Sequence, residues 1–159
     1  MSIKRLGGIR QHMKDIKEFI SKHDIFAIHC DIHVLEVSPG EATARMVVQD
    51  KHLNGLKLAH GGAIFALADL AFAAAANSRD HVAVGINATI SYIRPAGMGD
   101  ILYARAREIF SNRTLSGYTV DVENQAGDLI ATFQGTAYKK GSIQSHKRKA
   151  ENVHSSDCH

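Results

Sequence analysis

One carboxylate stands out in this chain by where it sits. Between Gly62 and Ala76 every residue is apolar or Gly except Asp69. A carboxylate in such surroundings is disfavoured as an anion, so its pKa rises unless a partner compensates. A carboxylate poised in that way suits a general base or a nucleophile. The plain structural alternative is an Asp satisfied by a backbone N–H or an Arg. The start of the same run adds a second group. His60-Gly61-Gly62 opens it with no Ser, Thr, Asp or Asn cap. First-turn N–H groups of a helix have no partner inside the helix, and glycine lets a substrate approach them. With the positive end of the helix dipole, they can hold a developing oxyanion. A buried carboxylate and an oxyanion site on one helix together describe acyl transfer.

Spacing limits how the two can cooperate. Gly61 and Asp69 are separated by roughly 12 Å along a helix. Two groups acting on one reacting centre lie within about 7 Å of each other. A single helix therefore does not supply both, whereas two antiparallel copies crossing near their middles do. If both groups act, the spacing predicts a homodimer with shared active sites.

The elements that must carry these residues follow from periodicity. Ala, Leu and Phe dominate 62–76, which predicts a helix. The run is apolar all round, which predicts burial all round, at the centre of a sheet. It is about 15 residues long, short of the ~20 of a membrane span, and Asp69 interrupts it. Leu6, Ile9, Met13, Ile16, Phe19 and Ile20 predict an amphipathic helix over 6–20. Alternation of Ile28, Cys30, Ile32 and Val34 predicts a strand from 28 to 37. Ser38-Pro39-Gly40 is a turn, and a second strand continues through Ala42, Ala44, Met46 and Val48. Further strands are predicted at 82–93, 100–110, 114–123 and 128–139, the last two separated by a turn at 124–128. Turn-linked strands with little helix between them indicate an antiparallel sheet and an α+β fold. The expected organisation is a helical segment over 1–27, a domain over 28–140 and a basic tail over 141–159.

The 159 residues are 45% hydrophobic and 22% charged, enough for one globular domain. Residues 139–159 hold five Lys/Arg against Glu151 and Asp157, which accounts for the whole +3 net charge. The rest of the chain is balanced and carries no basic stripe for nucleic acid. The tail is expected to be dispensable for folding and turnover. Two cysteines, Cys30 and Cys158, exclude a disulfide framework. The absence of an apolar segment after the basic N-terminal residues argues against a signal peptide, and a reducing, cytoplasmic setting is expected. The nearest histidine pairs, His29/His33 and His154/His159, lack a third ligand, so no metal and no organic cofactor is expected.

His60-Gly61-Gly62-Ala63-Ile64-Phe65-Ala66-Leu67-Ala68-Asp69 resembles the PaaI-type hotdog thioesterases of phenylacetate degradation. The likeness covers 24–139 and includes Leu53-Asn54-Gly55 upstream and Tyr92-Ile93-Arg94-Pro95-Ala96 with Gly99-Asp100 downstream. It implies a hotdog fold, an antiparallel sheet wrapped around a long central helix. It implies hydrolysis of acyl-CoA thioesters by homodimers or homotetramers. The roles it implies are Asp69 as base or nucleophile, the Gly61 N–H as oxyanion donor, His60 orienting the loop and Asn54 holding the site or its water. Gly62 and Arg94 are candidates on the CoA side, and so are Arg79, Lys57 and Arg113. Two departures from the family pattern stand out. A Ser or Thr that helps place water in some relatives falls in Gly85-Ile86-Asn87, where Asn87, or Thr89 nearby, could substitute. His23-Asp24 stands where relatives often carry Asn. The competing readings are a hotdog enoyl-CoA hydratase, whose loop carries a Pro absent from KHLNGLKLAHGG, and a non-catalytic acyl-CoA sensor, which has no need of a buried Asp69.

Overall fold

The structure, a computed structural model, describes residues 15–79 and 81–140. Most of the amphipathic stretch over 6–20, the tail over 141–159, His154, His159 and Cys158 lie outside the described residues. Residues 15–23 are helical (α1) and are followed by a short helix α2, Ile25–His29. Then come β1 (His33–Ser38), β2 (Glu41–Val47), a 3-10 turn at Asp50–His52 and the long helix α3 (Gly61–Ala76). Four strands complete the chain: β3 (Ala83–Tyr92), β4 (Ile101–Ser111), β5 (Leu115–Glu123) and β6 (Leu129–Lys139).

All six strands form one antiparallel sheet in the order β1-β2-β4-β5-β6-β3. Helix α3 packs against every strand. Inward positions alternate along β2, β4 and most of β5, as a half-buried sheet requires. Ala42, Ala44 and Met46 of β2, Leu102, Ala104 and Ala106 of β4, and Tyr118, Val120 and Val122 of β5 are buried. They meet Leu67, Ala68, Ala71, Phe72, Ala74 and Ala75 of α3. Alanines on both surfaces let the helix axis approach the sheet closely. The aromatic bulk is concentrated where Phe72 meets Tyr118 and Phe133, with ring centroids 5.5 and 5.7 Å away. This is the α+β hotdog architecture expected above.

Two expectations are corrected. The strand predicted from residue 28 begins only at His33, because Asp24 nucleates a helix ahead of it. The Asp24 side chain accepts from the Ala27 N–H at 2.9 Å, capping α2. The helix ends in a Schellman turn, with Asp31 at φ 48° and Ile32 N–H donating to Ala27 O at 2.9 Å. The alternation at 28–32 is thus fortuitous, and the boundary placed between 27 and 28 falls inside α2. Second, α3 is not covered all round. Gly62, Phe65, Ala66, Asp69 and Ala73, spaced by three and four, form a stripe that its own chain leaves partly open.

Strand β3 is the other open surface. It lies at the sheet edge, paired only to β6, with Val84, Ile86 and Tyr92 exposed.

Candidate active site

His60 sits at the N-cap of α3 and uses its ring as the cap. Its Nδ1 accepts from the Gly62 N–H at 2.8 Å, so the neutral ring carries its proton on Nε2. A Cβ at Gly62 would stand 3.0 Å from Nδ1, so glycine makes room for this cap. Gly61 is required by a different neighbour. Its Cβ would meet the Tyr92 ring and hydroxyl at 3.0 Å, and the hydroxyl donates to Gly61 O at 2.9 Å. The Gly61 N–H has no partner among the described residues. It is therefore available as an oxyanion donor at the positive end of a 16-residue helix.

The loop before α3 is stiffened by its own polar groups. The Asn54 Oδ1 accepts from Leu56 N–H at 2.9 Å and Leu58 N–H at 3.2 Å. Its Nδ2 has no partner among the described residues, and Asn54 is among the residues that line the Gly61 cleft. Lys57 adopts φ 62°, closing the turn. His52, only 2% exposed, ties this loop to two other segments. Its Nδ1 accepts from Gln49 N–H at 3.0 Å, its Nε2–H donates to Cys30 O at 2.8 Å, and its carbonyl accepts from His60 N–H at 2.7 Å.

Within one chain the predicted residues divide between clefts. Asn54, Gly61, Tyr92 and Arg94 line a cleft of about 330 Å³. Asp69 borders two others, each of about 350 Å³. One is bounded by Phe72, Gly85, Ile86 and Asn87, the other by Asp24, Phe26, Gly62 and Phe65. Asn87 thus lies beside Asp69, whereas Thr89 lines neither cleft. Gly62 shares a cleft with Asp69, but its N–H is taken by His60. Arg94 and Lys57 lie at the Gly61 end of the fold, and Arg94 Nη1 donates to Leu129 O at 3.1 Å. Arg79 follows the other end of α3 and pairs with Glu108 at 3.1 Å. Arg113 is in the β4–β5 turn, which Lys139 reaches through Asn112 O at 2.7 Å.

The Asp69 carboxylate has no hydrogen bond or ion pair among the described residues. Burial pushes its pKa above the ordinary aspartate value, and the nearby Asp24 charge adds to the rise. A base that holds a proton more readily, open to a cleft, suits proton transfer from water. Sequence reasoning missed the parts played by Tyr92, His52 and Asp24. Tyr92 reads as one more alternating strand residue, and nothing local signals that its hydroxyl reaches Gly61. Among the described residues no three His, Cys, Asp or Glu side chains converge as metal ligands. No described helix is long and apolar enough to cross a membrane.

A six-stranded sheet around one long helix, with a cap-and-glycine helix start and an unpartnered carboxylate, defines a hotdog-fold thioester hydrolase. Residues 56–131 match the family described as the Thioesterase superfamily. Over 120 residues the chain is 34% identical to the acyl-coenzyme A thioesterase PaaI of Escherichia coli, covering 76% of this chain and 86% of that one. The solved structure of the E. coli PaaI protein matches with a TM-score of 0.79 at 31% identity, over 83% of this chain and 96% of that one. A Streptococcus mutans protein, solved bound to acetyl CoA, matches with a TM-score of 0.67 at 29% identity, over 70% and 90% of the two chains. The chain belongs to the thioesterase superfamily, as a PaaI-type hotdog thioesterase.

Proposed function

We propose that this chain hydrolyses acyl-CoA thioesters to the free acid and CoA, with Asp69 as general base. The observation that carries the reading is the half-buried Asp69 carboxylate, which has no partner among the described residues and faces open clefts. In the reaction, Asp69 takes a proton from water as the water oxygen bonds to the thioester carbonyl carbon. The carbonyl oxygen becomes an oxyanion, which accepts from the Gly61 N–H of a second copy. Collapse of this intermediate re-forms the C=O bond and breaks the C–S bond. The leaving CoA thiolate takes the proton from Asp69, which restores the base. His60 holds the helix start through its Gly62 cap, and its exposed ring keeps an Nε2–H without a partner among the described residues as a further donor. Asn54 shapes the loop and lines the same cleft as Gly61, and in this reading Asn87, which lines a cleft with Asp69, orients the water.

The division of Gly61 and Asp69 between clefts supports a homodimer with antiparallel α3 helices and two shared sites. The open β3 edge and the open stripe of α3 support it further. Pairing of dimers into tetramers, a cytoplasmic setting and CoA contacts by Arg94 and Lys57 belong to the same reading. Release of free thiol from short, medium and aromatic acyl-CoAs by the purified protein tests it, and the same assay in EDTA checks that no metal is needed. A sensor protein would bind these compounds and release no thiol. A single turnover in ¹⁸O-water separates base from nucleophile. Direct attack by water puts the label in the acid and forms no acyl-protein. Attack by Asp69 forms an acyl–Asp69 anhydride that hydroxylamine traps and mass spectrometry detects, and whose hydrolysis at the Asp69 carbonyl leaves label on the protein.

A further inference from the structure

Asp24 and Asp69 line the same cleft of about 350 Å³, from α2 and α3 respectively. The remaining wall is apolar or glycine, with Phe26, Ile32, Phe65 and Leu70 prominent. The second cleft at Asp69 is bounded from β3 by Gly85, Ile86, Asn87 and Ala88, none of them titratable. From α3 itself the neighbours lining these clefts are Gly62, Phe65, Ala66, Leu70, Phe72 and Ala73, also without charge. Among the described residues, therefore, no cation lines either cleft beside Asp69. Asp24 is held firmly. Its N–H donates to Ile20 O at 3.0 Å, its carbonyl accepts from Ile28 N–H at 3.0 Å, and Oδ1 accepts from Ala27 N–H. Its Oδ2 has no partner among the described residues.

We propose that Asp24 is a positioning residue that acts through Asp69: its fixed, helix-capping carboxylate lines the same cleft, beside which no described cation lies, and conditions Asp69 for its work as the base. A negative charge in the same cleft disfavours the ionised form of Asp69. The direction of the Asp69 shift, to which Asp24 contributes after burial, agrees with this placement. One short helix thus has two jobs. Asp24 caps α2 with one oxygen and conditions the base with its charge. The inference rests on the role given to Asp69 above.

The test is Asp24→Asn, which keeps the capping oxygen and removes the charge. The ionised base is the active form, so wild-type activity falls off on the acid side as Asp69 takes up its proton. In Asp24→Asn the acid limb of kcat/KM is expected to move down by about half a pH unit. The rate at its plateau should fall a few-fold, because a base with lower proton affinity abstracts less effectively. Asp24→Ala, which loses the cap, should show the same limb shift and melt lower than Asp24→Asn. Asp24→Asn should melt no lower than wild type near neutral pH, because it keeps the cap and relieves the repulsion. An unmoved or upward-moved limb in Asp24→Asn overturns the proposal, the upward case indicating a cation supplied by a partner subunit. A ¹³C titration of the Asp69 carboxyl, assigned with Asp69→Asn, reads the same midpoint without turnover. If no thioester is hydrolysed but this midpoint drops in Asp24→Asn, the catalytic reading fails and the coupling stands. If turnover is present and the two midpoints coincide, the coupling fails and the catalytic reading stands.

Discussion

The Tyr92 hydroxyl donates to the Gly61 carbonyl at 2.9 Å, and a Cβ at position 61 would crowd its ring and hydroxyl at 3.0 Å. This contact joins the end of β3 to the first residue of α3. Gly61 is therefore glycine because of a residue 31 positions later in the chain. Gly61→Ala should shift the tyrosine tip by a few tenths of an ångström and weaken its hydrogen bond to the first turn. Because that tip is exposed and can swing, Tm should change little. The expected loss is in kcat/KM, about tenfold. Tyr92→Phe keeps the ring and removes one hydrogen bond worth about 1 kcal/mol, so a several-fold loss is expected. Steady-state kinetics with a thiol readout, alongside thermal melts, checks both.

Asp69→Asn should keep the fold and lower the rate by about 10²–10⁴. Its effect on stability has a definite sign. The folded-state pKa of Asp69 is raised, so the protonated form favours folding and that contribution fades as pH rises through the folded pKa. At pH 7 the wild type pays for an ionised, half-buried carboxylate, and Asp69→Asn should melt higher. Below the ordinary aspartate value of 3.8 the two proteins should melt together. Melting curves across that range test the sign, and a variant that melts lower at pH 7 would contradict it.

Mixing inactive subunits tests the shared site. Gly61→Pro removes the N–H at the first helical position, which the backbone allows proline to take, while its ring displaces the exposed Tyr92 tip, so circular dichroism must first show that the chain folds. Combined with Asp69→Asn chains, it should restore activity, because one site in each mixed dimer keeps both groups. Mass measurement establishes that mixed dimers form. Mixed dimers as inactive as both parents would show that the two groups do not come from different chains.

His60 can be separated into cap and substrate contact. His60→Asn retains a capping oxygen and should leave Tm within a degree or two of wild type. His60→Ala loses the cap and should cost about 1 kcal/mol. If His60 only orients the loop, the Asn variant keeps most of its activity. If the Nε2–H also touches substrate, both variants lose rate while only the Ala variant loses stability.

Much of this arrangement is legible from local pattern. The apolar run with one Asp, the HGG start and Pro39-Gly40 each announce an element through residue types close in sequence. The six strands follow from alternation, except at 25–32. There the alternating Ile28, Cys30 and Ile32 satisfy a strand template, while Asp24 three residues before Ala27 supplies a cap, and the cap prevails. The open stripe on α3 is invisible to composition, because alanine and glycine score as apolar whether covered or not. Tyr92, His52 and Asp24 act across the fold, over separations that no local window spans.

His52 offers a further use. With Nδ1 accepting and Nε2–H donating in a nearly sealed position, its ring proton is shielded from exchange with water. Such a proton gives a separate, far-downfield resonance. It reports at once on the end of α2, the 3-10 turn and the start of α3, so the molecule carries its own probe of whether these three segments move together when substrate enters.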